Sequence, residues 1–345
     1  MKITLGILAY NEADTIGKLI PDLFRQTLLS NDNISLDIHV VANGCTDATV
    51  QVASQALARQ KVNHGNIRWF VQNVLHAGKS NAWNELIHSF ASLETEYIFL
   101  LDADIRIPEE TTLEAMVNCL RRSRTAVVAV DQSVSDLLDK ADRSLVESLI
   151  ASASSTAYDT RTAICGQLYC AKFSVLKNIW MPIGLPGEDG FLRAMLLTSN
   201  FESEENLDRI VFVEDARHIF ESERGIRAVF RHNIRLAIGT AINVLLFNHI
   251  REACIDSVDL SDYIKMRNAA DPNWLNELIA NEIAKKRYFL LNTNFILKRV
   301  RRLWSLSITE QLRKWPVFLL GVVFDTVLFF TANHLMRRGA GAGFW

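Results

Sequence analysis

From Ile3 to Val130 the apolar residues switch between two rhythms. Short continuous runs over 3–9, 37–42, 67–72, 97–101 and 125–130 have the length and branched-chain content of buried strands. Between them the spacing becomes helical. Ile16, Leu19, Ile20, Leu23 and Phe24 share one face of a helix over 11–24. Similar patterns predict helices over 47–60, capped by Thr46, over 78–90, and from Pro108, with Glu109 and Glu110 in the first turn. Strands alternating with helices at this spacing build right-handed β-α-β units and a mostly parallel sheet. Such sheets bind ligands beyond the carboxyl ends of their strands.

Beyond residue 135 the alternation fades. The pattern predicts a helix over 144–157, a short strand over 163–170 and a Pro/Gly-rich loop over 181–190. A strand over 211–220 and a helix over 225–249 follow, and the remainder reads as helical. The expected organisation is an α/β domain over 1–250 and a helical C-terminal region over 251–345, with no internal repeat.

Four loops follow the expected strands. They are Ala9-Tyr10-Asn11-Glu12, the segment Ala42 to Asp47, Gly78-Lys79-Ser80-Asn81, and Asp102-Ala103-Asp104. In the last, side chains at i and i+2 of an extended backbone leave the same face, so two carboxylates address one spot. Hard cations such as Mg²⁺ or Mn²⁺ take oxygen ligands and commonly carry substrate phosphates as well. Gly78 and Lys79 begin a helix whose free N–H groups favour an anion. Singly, each loop is explained as a turn or cap. Four of them at one sheet edge point to a nucleoside diphosphate and a metal.

In order and spacing, the segments ILAYNEADTIGKLI, VVANGCTDATV, GKSNAWN, FLLDADIRIP and LPGEDGFL make the chain resemble the family 2 glycosyltransferases over residues 3–240. The resemblance implies the GT-A fold, a Rossmann-like α/β architecture whose mostly parallel sheet is flanked by helices, here with a helical C-terminal extension. It also implies an inverting transferase that uses Mn²⁺ or Mg²⁺ and a nucleotide-sugar donor, with a UDP-sugar favoured. By resemblance, Tyr10, Glu12 and Asn43, beside Ala9, would contact base and ribose. Asp102, with Ala103, would approach the ribose or uracil, and Asp104 would bind the metal bridging the diphosphate. In the family the Asp of the GEDGF segment takes the acceptor proton, which makes Asp189 the base and Glu188 its supporting neighbour. Gly187 and Gly190 allow unusual backbone geometry around that pair.

Two departures matter. The usual acidic pair of the second loop is Ala42-Asn43 here, which alters base recognition. Where related enzymes carry Gln-x-x-Arg-Trp, this chain has His232-Asn233-Ile234-Arg235-Leu236, and only the Arg survives. Because the full motif marks processive polymer synthases, the non-processive type is expected. Arg224, Arg227, Arg231 and Arg235 still form a stripe along one helix face, with Ile226, Val229, Phe230 and Ile234 expected to anchor the other. The stripe reads either as a solvated basic face or as diphosphate stabilisation, with Arg231 and Arg235 as donor-binding candidates. His218 is a candidate third metal ligand, set against a hydrogen-bonded structural histidine. Trp83 and Trp180 are candidates for sugar stacking or for core packing.

Composition adds a charge asymmetry. The net charge of −2 combines a tail of net +6 from Ile296 onward with an acidic body. The tail's apolar content favours a membrane over nucleic acid as the anionic partner. Five scattered cysteines without zinc spacing suit a reducing compartment. The apolar stretch after Lys2 is too soon interrupted for a signal peptide. The expected location is therefore cytoplasmic, on the cytoplasmic face of the inner or plasma membrane.

The basic and apolar segment lies at 296–338. Within it, residues 316–324 are continuously apolar before Asp325 interrupts, and an Asp near the centre of a span costs about 2.5–3.5 kcal/mol on insertion scales. A span, a helix lying on the membrane and a buried packing helix all remain open. The basic run 298–302, with Arg313 and Lys314, favours the helix on the membrane. That arrangement suits a lipid-linked or glycan acceptor, and homo-oligomerisation stays open. The competing functions are a sugar-1-phosphate nucleotidyltransferase and a catalytically silent binding protein of the same fold. The first usually opens with a Gly-rich, Arg-bearing loop, which Ala9-Tyr10-Asn11-Glu12 is not. Asp104 and Asp189 argue against the second.

Overall fold

A computed structural model describes residues 1–60, 66–139, 160–252, 260–285, 289–291, 295, 297, 303–304, 307–341 and 343. Seven strands form one sheet: β1 (Lys2–Ala9), β2 (Ser35–Asn43), β3 (Ile67–Val74), β4 (Tyr97–Asp102), β5 (Val128–Ser135), β6 (Leu168–Lys172) and β7 (Ile210–Phe220). Their order is β3-β2-β1-β4-β6-β5-β7. All run parallel except β6, which pairs antiparallel with both β4 and β5. The GT-A-like, mostly parallel α/β expectation holds, and β6 is the departure from it. Helices α1 (Ile16–Phe24), α2 (Thr49–Ala58), α3 (Lys79–Glu85), α4 (Thr112–Arg122) and α5 (Glu188–Leu197) accompany the sheet. Ile3, Leu5 and Ile7 of β1 and Phe99 and Leu101 of β4 lie in the core with Leu19, Leu23, Met116 and Leu120 of the helices.

Several boundaries move for identifiable reasons. The helix expected from Pro108 starts at Thr112, because the chain before it is committed elsewhere. Arg106 and Ile219 exchange backbone hydrogen bonds, Thr27 N donates to Glu110 O, and Gln26 Nε2 donates to Glu109 O at 2.8 Å. Buried Asp22 binds Arg106 through Nε at 2.5 Å and through its second amino group at 3.0 Å, and it accepts from Ile107 N at 3.2 Å. Asp47, not Thr46, serves the start of α2: its Oδ1 accepts from Thr49 N at 3.0 Å. Strand β5 extends to Ser135 because a register shift after Val130 lets it continue along β7. The helix expected over 144–157 lies outside the described residues.

The described chain divides into two compact units. The first comprises Met1–Pro182, Glu188–Ser222 and Asp259–Met266 and contains the whole sheet. The second comprises Ile183–Gly187, Glu223–Val258 and Arg267–Trp345. The helix over 226–252 therefore groups with the C-terminal region instead of with the sheet, unlike the division expected at residue 250. Helices α6 (Ile226–Glu252), α7 (Leu260–Ala270), α8 (Trp274–Lys285) and α9 (Ile308–Arg337) make up most of the C-terminal structure. Within the second unit, Gly239 of α6 lets the Pro186–Gly187 backbone approach. A Cβ at Gly239 would lie 3.1 Å from Pro186 O, and Asn243 Nδ2 donates to Gly187 O at 2.8 Å.

Candidate active site

Parallel β1, β2 and β4 end at the same edge, so their following loops meet there. Asn11, with φ 55°, turns its side chain so that Oδ1 accepts from Thr46 N at 2.8 Å. Glu12 N donates to Thr49 Oγ1 at 2.8 Å, and Ala13 N donates to Asp47 Oδ2 at 3.1 Å. These bonds fix the first loop against the second. Tyr10 stays exposed at their junction. The Glu12 carboxyl accepts from Thr15 Oγ1, yet its pKa is raised. Burial is the main cause, and Asp104, Asp102 and Asp47 add repulsion. Asn43, at the end of β2, is buried with its Oδ1 unpartnered. A buried carbonyl oxygen without a donor is costly in a closed protein and useful where a ligand supplies the N–H.

Asp102 closes β4, and its backbone N–H donates to Gln167 O at 2.9 Å. Lys79 faces it from the first turn of α3. The Lys79 ammonium contacts Asp102 Oδ1 at 2.7 Å and Oδ2 at 2.8 Å, Gly166 O at 3.2 Å and Glu188 Oε1 at 3.4 Å. Its ammonium, in a residue expected among the donor-binding side chains, therefore meets protein oxygens in this structure. Burial opposes the charge on Lys79, but Asp102 and Glu188 outweigh it, so its pKa sits above the ordinary value. The Asp102 carboxyl is raised to about 6, chiefly by burial and with Asp104 adding to it, against the pull of Lys79.

Glu188 and Asp189 were expected in a loop but form the first turn of α5, where the helix dipole favours negative charge. Asp189 Oδ1 accepts from Gly190 N at 2.7 Å. The Asp189 pKa is raised to about 6, first by burial and then by Glu188, against the pull of Gly190 N–H and Lys79. Lys79, Glu188 and Asp189 line one cleft with Leu8, Trp83, Leu100, Gly166, Tyr169, Met181 and Leu192. A half-buried carboxylate with its pKa raised toward neutrality, beside an apolar wall, is suited to act as a general base.

Asp104 is half-buried and makes no hydrogen bond or ion pair among the described residues. Its oxygens are of the hard type that Mg²⁺ and Mn²⁺ take, and Glu12 and Asp102 feel its charge. No cluster of three acidic, His or Cys ligands occurs among the described residues.

His218 is not a ligand in this arrangement. It is fully buried, with Nδ1 2.8 Å from Asp131 Oδ2 and Nε2 3.1 Å from Gln167 Oε1, so neither ring nitrogen is free for a metal. Trp83 belongs to the cleft wall, where its Nε1 donates to Tyr169 Oη at 2.8 Å. Trp180 stacks on His88 with centroids 3.8 Å apart. Ala9 and Ala103 have buried side chains and can meet a ligand only through their backbone. Arg227, Arg231 and Arg235 are exposed on α6 in the second unit, and Arg224 is exposed just before the helix begins. Ile226, expected to anchor that helix, is also exposed, whereas Ile234 is buried.

Gly166 was missed. It adopts φ 72°, and a Cβ there would lie 3.4 Å from Asp189 Cβ, 3.6 Å from Lys79 Nζ and 3.8 Å from Glu188 Oε1. A glycine inside an apparent strand over 163–170 was the available signal, since it marks a bend or a close approach.

Comparison with known proteins bears on this edge of the sheet. Residues 4–169 match the family model described as Glycosyl transferase family 2. No curated protein sequence matches the chain. Among solved structures, the mannosyltransferase PcManGT from Pyrobaculum calidifontis, in complex with GDP-Man and Mn²⁺, is similar at 17% identity and a TM-score of 0.51. That similarity covers 94% of this chain and 86% of the other, and it shows a shared fold. Glucosyl-3-phosphoglycerate synthase from Mycobacterium tuberculosis, in complex with Mg²⁺ and UDP, is similar at 18% identity and a TM-score of 0.45, over 71% of this chain and 77% of that one. TarS from S. aureus, in complex with UDP, is similar at 14% identity and a TM-score of 0.46, over 98% and 92%.

Proposed function

With residues 4–169 matching the model of Glycosyl transferase family 2, we propose that this chain is an inverting glycosyltransferase that moves a sugar from a nucleoside diphosphate sugar to an acceptor hydroxyl. The observation that carries the reading is the half-buried Asp189 carboxylate, which lines one cleft with Lys79 and Glu188 and has its pKa raised to about 6. Asp189 takes the proton of the acceptor hydroxyl as its oxygen bonds to the anomeric carbon. The bond from that carbon to the diphosphate oxygen breaks, and the nucleoside diphosphate leaves. Glu188 keeps Asp189 basic by repulsion, and Lys79 prevents the three clustered carboxylates from repelling one another out of the site.

Tyr10, Glu12 and Asn43 bind the nucleoside, with the unpartnered Asn43 Oδ1 accepting from the base. A UDP-sugar remains the favoured donor, and GDP-sugars belong in the same test because the PcManGT structure holds GDP-Man. Asp104 is the residue to hold Mn²⁺ or Mg²⁺, with Asp102 and Glu12 adjoining. Such an ion neutralises charge on the leaving diphosphate. The acceptor is a lipid-linked saccharide or glycan. The membrane surface is the second partner, through the C-terminal region, on its cytoplasmic side.

The test is release of nucleoside diphosphate across a panel of UDP- and GDP-sugars with Mn²⁺, Mg²⁺ or EDTA. Release that needs the metal supports the reading. Exchange of pyrophosphate would replace it with a nucleotidyltransferase. No turnover with any donor, with or without membrane extract, would leave a silent binding protein.

A further inference from the structure

Helix α9 has its polarity turned inside out. By length and composition Phe318–Arg337 could cross a membrane. Within the second unit, however, Asp325 and Asn333 face inward, while His334 near its end is exposed. Asp325 is 8% exposed and Asn333 4%. Asn333 Oδ1 accepts from Leu290 N at 2.7 Å and from Leu291 N at 3.2 Å. Leu328, Phe329, Ala332 and Met336 share that buried side. Phe329 meets Phe289, with centroids 5.0 Å apart, and Phe324 meets Phe230 of α6 edge-on at 5.5 Å.

From Trp315 to Phe330 the outward side is apolar, and exposed His334 follows at its C-terminal end. Trp315, Leu319, Val323, Val327 and Phe330 recur at three- and four-residue steps, which is one stripe of a helix. Leu320 beside it is 73% exposed, and Val323 is 61% exposed. The stripe is about 22 Å long at 1.5 Å per residue. Arg337 and Arg338 lie exposed at its C-terminal end, and the sequence sets Arg313 and Lys314 before its N-terminal end. Trp304 is exposed as well.

We propose that this stripe lies in the head-group layer of an anionic membrane, with the axis of α9 parallel to the surface. The proposal rests on the membrane being a partner, but not on the chemistry assigned to Asp189. A transverse helix would bring Asp325 and Asn333 into hydrocarbon and strip them of the partners that hold them. A helix lying flat leaves them packed in protein and immerses only the apolar stripe. Interfacial helices bind through buried apolar area together with basic residues drawn to anionic lipid. Trp315 is of the type that settles at head-group depth.

The experiment uses the full chain and sedimentation with vesicles of phosphatidylcholine alone or mixed with phosphatidylglycerol. The wild type is expected to bind the mixed vesicles at least tenfold more tightly, and salt should weaken that binding. The double variant L320E/V323E should lose at least tenfold in partitioning while its circular dichroism and donor turnover stay unchanged. Equal vesicle binding by wild type and variant would overturn the stripe as the docking face while leaving the membrane as a partner. No vesicle binding by the wild type would overturn both. A wild-type dimer that the double variant dissociates, without vesicle binding, would give the stripe to a second copy of the chain. Retention of the chain in membranes after alkaline carbonate extraction would overturn the parallel orientation. Loss of donor turnover on Asp189→Asn with unchanged vesicle binding would separate the chemistry from the docking.

Discussion

Replacing Asp189 by Asn should make the protein more stable and nearly inactive. The Asp189 carboxyl has its pKa raised from 3.8 to about 6, chiefly by burial and by Glu188. Between those two values the folded state holds more protons than the unfolded state, so the group costs increasing stability as pH rises through that window. Above pH 6 the cost levels off, at a ceiling of about 3 kcal/mol from 1.36 kcal/mol per unit. Part of it is relieved by readjustment of Glu188, so a realised gain of about 1–2 kcal/mol is expected for the neutral amide at pH 7.5. The Asn Oδ1 can still accept from Gly190 N–H, which keeps the start of α5 intact. In thermal unfolding this corresponds to a rise of about 2–4 °C per kcal/mol. The gain should vanish below pH 4, where the native carboxyl is protonated in both states. Turnover should fall by about 10²–10⁴, the usual contribution of a general base. Nucleoside diphosphate affinity in calorimetry should be unchanged. A variant that is less stable than wild type at pH 7.5, or equally stabilised at pH 4 and pH 7.5, would refute the electrostatic reasoning. Retained turnover would remove Asp189 as the base.

Lys79→Met should act in the opposite direction on stability. Removing the ammonium leaves Asp102 and Glu188 unpaired, at a cost of about 2–3 kcal/mol, the low end for a broken buried pair because both partners keep some solvent contact. Since Lys79 lowers the pKa values of Asp102 and Asp189, the acidic limb of the pH–rate profile should move up by about one unit, read from initial rates between pH 5 and pH 8. Gly166→Ala should cost about 1–2 kcal/mol because of the left-handed backbone, and it should lower kcat more than nucleotide affinity, since the new methyl group crowds Asp189 and Lys79. Asp104→Asn should abolish stimulation of donor hydrolysis by added Mn²⁺ while leaving the melting temperature in EDTA within about 2 °C of wild type, as expected for a carboxylate with no described protein partner.

Local periodicity was enough to determine the alternating architecture. The runs that became β1, β2, β3 and β4, and the apolar face of α1, are short-range patterns that the chain carries wherever it goes. The edge that carries Tyr10, Asn43, Asp102 and Asp104 follows from parallel strands ending together, so that part of the candidate site was also legible. The acidic pair Glu188-Asp189 was legible by resemblance, but its helical setting was not. What decided that setting, and the role of Lys79, was contact between residues far apart in the chain. The lysine that opens the helix after Gly78 pairs with Asp102 and Glu188, and Gly166 makes room for them.

His218 shows the same division. Its place on a strand was readable, but whether its nitrogens were free depended on Asp131 and Gln167, which no local pattern links to it. In α9 the apolar content and the interrupting Asp325 were visible at once. Only packing revealed that Asp325 turns inward and Leu319 and Leu320 outward. A sequence states which side chains a helix carries, but the face that meets solvent is chosen by neighbours from other parts of the chain, through burial that summed hydropathy does not record.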